Sequence, residues 1–184
     1  MNHVLNRLKG GSLVSDGFAN EVADEVLKHT ELLDDLIDGL ATTDDVIRAR
    51  TAHAIERISR SKPDLIKNLL PDLIELALND PVPMVRWHMP MTFANVAFMD
   101  PELDRVFPAL FRQLEDESVF VKTWAIASLV ILGQRKKDVG KEIKRRLAVL
   151  VTDPSISVRT RAKKAIAILD GTQPITKGWY KGSR

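Results

Sequence analysis

Four copies of one short signature constrain this chain more than any single residue does. A β-branched residue followed by a basic one occurs at Ile47-Arg48, Val85-Arg86, Val121-Lys122 and Val158-Arg159, with the basic members 38, 36 and 37 positions apart. A period of that length belongs to repeat architectures, in which each unit is one supersecondary element that buries its apolar face against the next. The register extends further in both directions. Six positions before the basic residue stands Asp80, Asp116 or Asp153 in the last three copies and Thr42 in the first. Six and seven positions after it come a small and then a large apolar residue: Ala54-Ile55, Thr92-Phe93, Ser128-Leu129 and Ala165-Ile166.

Hydrophobic periodicity turns each copy into a pair of helices. In the second, Leu65, Ile66, Leu69, Leu70, Leu73, Ile74 and Ala77 fall at helical spacing, which predicts a helix over 63–78 ended by Asn79-Asp80-Pro81 and a second over 83–98. The same plan gives 101–114 and 119–132, then 136–151 and 157–169, with 31–40 and 44–60 as the first pair. One more helix is expected over 18–29, capped by Ser15 or Asp16 and covering the open face of the first unit. The chain then divides into a partly helical segment 1–17, a single array 18–171, and a basic tail 172–184. In that tail Trp179-Tyr180 is either docked on the last unit or disordered. With ten aromatic residues among 184, Leu, Ile, Val and Ala must fill the interior, a palette suited to helix packing.

On these residues the chain resembles the HEAT repeat family. The stretch from Leu70-Pro71-Asp72-Leu73-Ile74-Glu75-Leu76 through Asn79-Asp80-Pro81 to Val85-Arg86 follows the family pattern closely, and 119–133 does so nearly as well. Val85-Arg86-Trp87-His88 and Val121-Lys122-Thr123-Trp124-Ala125 are also similar to small prokaryotic HEAT-repeat proteins, a likeness that carries no activity. The resemblance implies an all-α fold, a right-handed α-solenoid of about four to five HEAT-type helical hairpins with the second helices on the concave side. It also implies a structural ladder between neighbouring units made of Asp80, Arg86, Asp116, Lys122, Asp153 and Arg159. Thr42 in the Asp slot and Met89-Pro90 in place of small residues depart from the pattern.

Composition removes whole classes of chemistry. The chain has no cysteine, so thiolate catalysis and cysteine-bound metals are absent. No segment has the roughly 20 apolar residues needed to span a bilayer, and 1–9 is too polar for a signal peptide. A cytoplasmic protein without a membrane partner is the simplest expectation. No phosphate loop, zinc-protease or serine-hydrolase motif occurs. His3, His29, His53 and His88 lie in four different segments without metal-ligand spacing and read as solvated side chains. Asp34, Asp35, Asp38, Asp44 and Asp45 read as a solvated acidic face, with Asp44 and Asp45 placed to stabilise a helix start. No metal or cofactor is expected.

Three features are left to carry function. Pro90 falls inside a helix and cannot donate to the carbonyl of Arg86, which predicts a kink exposing that acceptor or adjusting the curvature. Around it, Arg86, Trp87, His88, Met91, Asn95 and, one unit on, Trp124 form the candidate protein-binding surface, since interface hot spots favour such residues. The two tryptophans read equally as exposed anchors or as half-buried packing. The third feature is charge. Residues 1–117 balance at −9 and 118–184 at +11. That asymmetry allows head-to-tail self-association or two different partners. Lys141, Lys144 and Arg145 on one helix, with Arg159, Arg161, Lys163 and Lys164 on its partner and Arg48, Arg50 and Arg57 in the first unit, make the candidate nucleic-acid surface. An enzyme like the alkylpurine DNA glycosylases, which share such solenoids, needs an acid among these cations, and only Glu56 offers one. The leading expectation is therefore a non-enzymatic scaffold whose partner is another protein, with nucleic-acid binding second.

Overall fold

The computed structural model describes residues 2–96 and 103–181. The ends expected at Phe98 and Pro101, and the last three residues of the tail, lie outside the described residues. Among the described residues all regular structure is helical. A short α1 (His3–Leu8) and α2 (Ala19–Lys28) lead into four hairpins: α3 (Leu33–Ile37) with α4 (Asp45–Ser61), α5 (Leu70–Asn79) with α6 (Pro83–Val96), α7 (Leu103–Gln113) with α8 (Val119–Arg135), and α9 (Gly140–Val149) with α10 (Ile156–Leu169). The second helices α4, α6, α8 and α10 stack side by side as one layer, and α5, α7 and α9 cover them as the other. This is the right-handed α-solenoid, and α2 packs on α4 to close its first unit. The small and large positions of the signature meet in the core, where Ala54, Ile55, Phe93, Leu129 and Ala165 are fully buried.

The outer helices are shorter than the sequence expectation. Residues 63–69 form two 3₁₀ turns, Pro63–Leu65 and Lys67–Leu69, and the α-helix proper starts only at Leu70. Pro71 has no N–H for the carbonyl of Lys67, and its fixed φ fits the first turn of a helix that begins at Leu70. The expected 136–151 helix is likewise α9 flanked by 3₁₀ turns. The start of α2 also differs. Ser15 and Asp16 do not cap it with their side chains; the Asp16 carbonyl accepts from Ala19 N–H, and Phe18 stands at the cap position.

The signature's charged members link successive units. Arg48 Nε donates to Asp80 at 2.6 Å, Arg86 donates twice to Asp116 at 2.8 and 3.0 Å, and Lys122 reaches Asp153 at 2.7 Å. Each carboxylate also accepts from the backbone N–H two residues on, at Val82, Ser118 and Ser155, which fixes the turn before each inner helix. Each arginine donates back to the carbonyl six residues before it, at Thr42, Asp80 and Asp153. Thr42 therefore costs the ladder nothing. Its hydroxyl makes the turn contact to Asp44 N–H, and no earlier unit needs a carboxylate there. Asp80 and Asp116 hold the Arg48 and Arg86 guanidinium groups above their usual range through these hydrogen bonds.

Candidate functional site

The inner layer α4, α6, α8 and α10 presents one residue per unit at the same place, two positions after the signature's basic residue. These are Arg50, His88, Trp124 and Arg161. Two positions carry a side chain about 200° around a helix from the ladder residue, away from the seam between units. All four meet terminal segments of the chain itself. Arg50 takes the amino-terminal segment: its guanidinium donates to the carbonyls of Leu8, Lys9, Gly10, Ser12 and Ser15. The loop closes so tightly that a Cβ at Gly17, whose φ is +52°, would lie 2.5 Å from Arg50 Cζ.

The other three take the carboxy-terminal tail. Arg161 lies between two indoles, 5.3 Å from the Trp124 ring centre and 4.6 Å from that of Trp179, and donates to the carbonyl of Gly178. Trp179 is buried, and with Tyr180 and Lys181 it lines a crevice completed by Glu56, Met91, Asn95, Trp124 and Ser128. The Lys181 ammonium sits 3.2 Å from His88 Nε2, 3.7 Å from Glu56 and 5.4 Å from the Trp87 ring centre.

Two of the four histidines are buried, which corrects the expectation that each is solvated. His53 and His88 pack ring to ring at 5.0 Å between α4 and α6. His88 Nδ1 lies 2.6 Å from the Met84 carbonyl and must donate to it, so Nε2 is the acceptor facing Lys181. Burial first, then the positive charge of Lys181, pushes His88 well below the usual imidazole range; burial and Lys181 lower His53 as well. Lys181 is itself lowered by burial, against the opposing pull of Glu56. The Glu56 side chain is fully enclosed and is held by Arg60 one turn on. A polar chain from the Glu56 carbonyl through the Ser59 hydroxyl to Asn95 ties α4 to α6.

The candidate protein-binding residues fall into two groups. Arg86 belongs to the ladder, and His88 is wholly enclosed, with its Nε2 covered by Lys181 of the tail. Trp87, Asn95 and Trp124 are half-buried on the concave side, and Met91 lines the crevice beneath the tail. Trp87 packs edge-on against Phe120 at 5.1 Å, at the wall of a cleft of about 310 Å³ shared with Leu13, Val14 and Met84. The carbonyl that Pro90 deprives of a donor is not exposed. Gln113, buried at the end of α7, donates its amide to Arg86 O at 3.0 Å and to Ala77 O at 3.1 Å, and α6 continues through the proline.

The cationic stripe does not form a continuous track. Arg48 and Arg50 are buried in the contacts already described, and Arg57 grips Asp24 with both arms. Lys144 pairs with Asp170, and Arg159 donates to the Asp153 and Pro154 carbonyls. Arg145 and Arg146 converge on Glu142, holding its carboxyl down to about 2. Lys141 is exposed on the outer layer and Lys163 and Lys164 on the inner one. Among the described residues no group of His, Asp or Glu is arranged to hold a metal, and no helix is long and apolar enough to cross a membrane.

No family model matches this chain, and no curated protein matches its sequence. Solved structures do match its fold. A designed armadillo repeat protein, YIII(Dq)4CqI, is similar with a TM-score of 0.64 at 19% identity, over 90% of this chain and 80% of its own. A computationally designed armadillo repeat protein for modular peptide recognition is similar with the same TM-score and identity, over 89% of this chain and 79% of its own. The chain is thus an α-solenoid of armadillo-like helical repeats.

Proposed function

We propose that this chain is a non-enzymatic interaction module of the HEAT type, and that its concave face receives a segment of another protein. One observation carries the reading. The inner column of Arg50, His88, Trp124 and Arg161 already grips two terminal segments, one through backbone carbonyls and one through an aromatic and a cationic side chain. That is the chemistry by which a groove holds an extended peptide, with polar groups for the backbone and aromatic surfaces for anchors. The buried acid Glu56 is bridged by Arg60, so it supports the groove's charge balance and not proton transfer. The ladder, being internal, stiffens the platform on which these residues stand.

The test is selection from a random peptide display library on the whole chain, repeated on a variant with its tail undocked, Trp179→Ala/Lys181→Ala. Enriched peptides whose binding is lost on Trp124→Ala, with helicity unchanged, support the reading. A library that stays unenriched on both forms overturns it.

A further inference from the structure

We infer that residues 172–181 are a built-in ligand of the concave groove, and that the groove's external partner is a peptide of the same chemistry: an aromatic residue with a lysine two positions later. The inference rests on the reading of the groove as a peptide site and names its ligand.

The tail joins α10 through Gly171, in a left-handed turn at φ +75°, and leaves the helix after Thr172 and Gln173 donate to the Ala167 carbonyl. Beyond that point Pro174, Thr176, Lys177 and Gly178 are exposed, as is nearly half of Tyr180, whereas Trp179 is 6% exposed. Ile175 packs half-buried against the core, and beyond it the contacts are Trp179 on Arg161, Lys181 over Trp87 toward Glu56 and His88, and Gly178 O on Arg161. Between these points the segment is exposed, so it is held at separate anchors: an aliphatic residue, an indole and an ammonium.

Each contact is selective. The anchor pocket offers a guanidinium face, which attracts the electron-rich face of an indole or phenol ring and gives an aliphatic side chain much less. The far end offers an enclosed carboxylate, an imidazole lone pair and an indole face, all of which favour an ammonium. Arg60 already holds Glu56, so the carboxylate keeps its partner when the lysine departs. The groove can therefore exchange its occupant without stranding a charge. The linker of seven residues between Gly171 and Trp179 gives the tail an effective concentration on the order of millimolar, so an outside peptide engages only by out-competing it.

The probe is a fluorescein-labelled, C-terminally amidated peptide with the sequence of residues 172–181. Anisotropy is measured against the full chain and against full-length Trp179→Ala/Lys181→Ala, with circular dichroism confirming that both are folded. Binding at least about tenfold tighter to the undocked variant is expected. On that variant, a peptide carrying norleucine in place of Lys181 should lose about tenfold, and one carrying Ala in place of Trp179 should not bind detectably. Because these last changes lie in the peptide, they cannot disturb the fold. Equal binding to both forms, no binding to the folded undocked variant, or indifference to either peptide substitution overturns the inference. Failure of the parent reading looks different. Library selection that enriches peptides lacking the aromatic-x-lysine pattern defeats this inference and leaves the peptide-binding module standing, whereas no enrichment at all defeats the module itself.

Discussion

Gln113 offers the sharpest test of how this fold tolerates its prolines. The carbonyl of Ala77 lies in the last turn of α5, which ends at Asn79, and the residue four positions on, Pro81, has no N–H to offer it. In α6 the carbonyl of Arg86 would accept from Pro90. Each proline lacks the donor, and the single Gln113 amide supplies both acceptors from a neighbouring helix, at 3.1 and 3.0 Å. Replacing Gln113 with Leu keeps the volume and leaves two buried carbonyls without that donor. A buried acceptor stranded in this way costs about 1–3 kcal/mol. The Gln113 carbonyl oxygen is itself buried without a partner, and its removal returns part of the loss. The net destabilisation should be about 2–4 kcal/mol, or roughly 5–15 °C in Tm for a chain of this size.

The cycle with Pro90→Ala isolates the cause. Alanine restores an N–H that can reach Arg86 O, so Gln113→Leu should cost about 1 kcal/mol or more less in the Pro90→Ala background than in the parent. Urea denaturation of the four proteins measures this coupling directly. Additivity within about 0.5 kcal/mol would refute the argument that Gln113 replaces the donor Pro90 lacks.

Three other perturbations address separate parts of the molecule. His88 stays neutral in the folded chain because burial, Lys181 and His53 all disfavour its charge, while the unfolded chain takes up a proton below about pH 6.5. Stability should therefore be complete above that pH and fall as pH drops from it toward the lowered folded value, by up to about 1.4 kcal/mol per pH unit for each such group. Urea melts at pH 7.5 and 5.5 check this, and a profile unchanged by His88→Gln would contradict it. In the ladder, Asp80→Asn should cost about 1–3 kcal/mol, because the enclosed Arg48 keeps only its more exposed partner Asp45 and loses the charged link to the next unit. Asp104→Asn, which breaks the more exposed pair with Lys136, should leave the urea midpoint unchanged. Gly17→Ala places a Cβ against Arg50 at a positive φ and should cost about 1–2 kcal/mol, with hydrogen-exchange protection lost first in the amino-terminal segment.

The scaffold was legible because stacking repeats the same physical demand at every unit. A small residue must sit where helices approach, a large one beside it, and an acid must meet a base across each seam; the 36- to 38-residue register follows from that. What the register could not convey was the partner of each charge. Arg48 and Arg50 read alike as members of a cationic stripe, yet one pairs with Asp80 from the next unit and the other with the carbonyls of a loop some 40 residues earlier. Nor does helical periodicity distinguish α from 3₁₀, so 63–69 reads as part of one continuous helix although it forms two 3₁₀ turns. His53 and His88 read as solvated because their burial depends on helix packing and on a tail that arrives from 93 residues away.

One signal for the groove was present in the sequence and easily passed over. Aligning the four signatures on their basic residue puts Arg50, His88, Trp124 and Arg161 in a single column, whereas the ladder column is acidic in three of four copies and the core columns hold only small or only large apolar side chains. A column kept for packing should converge on small or apolar residues, as the sixth and seventh positions do. A column that varies among guanidinium, imidazole and indole, all large and all capable of hydrogen bonding or stacking, matches a surface whose units each meet a different part of a ligand. The structure puts that column against the two ends of the chain, five carbonyls at one end and an aromatic and a lysine at the other. The same four residues thus account for how the termini are held and for what a partner must offer to replace one of them: an aromatic for Arg161, an ammonium for His88 and Glu56, and two residues of reach between them.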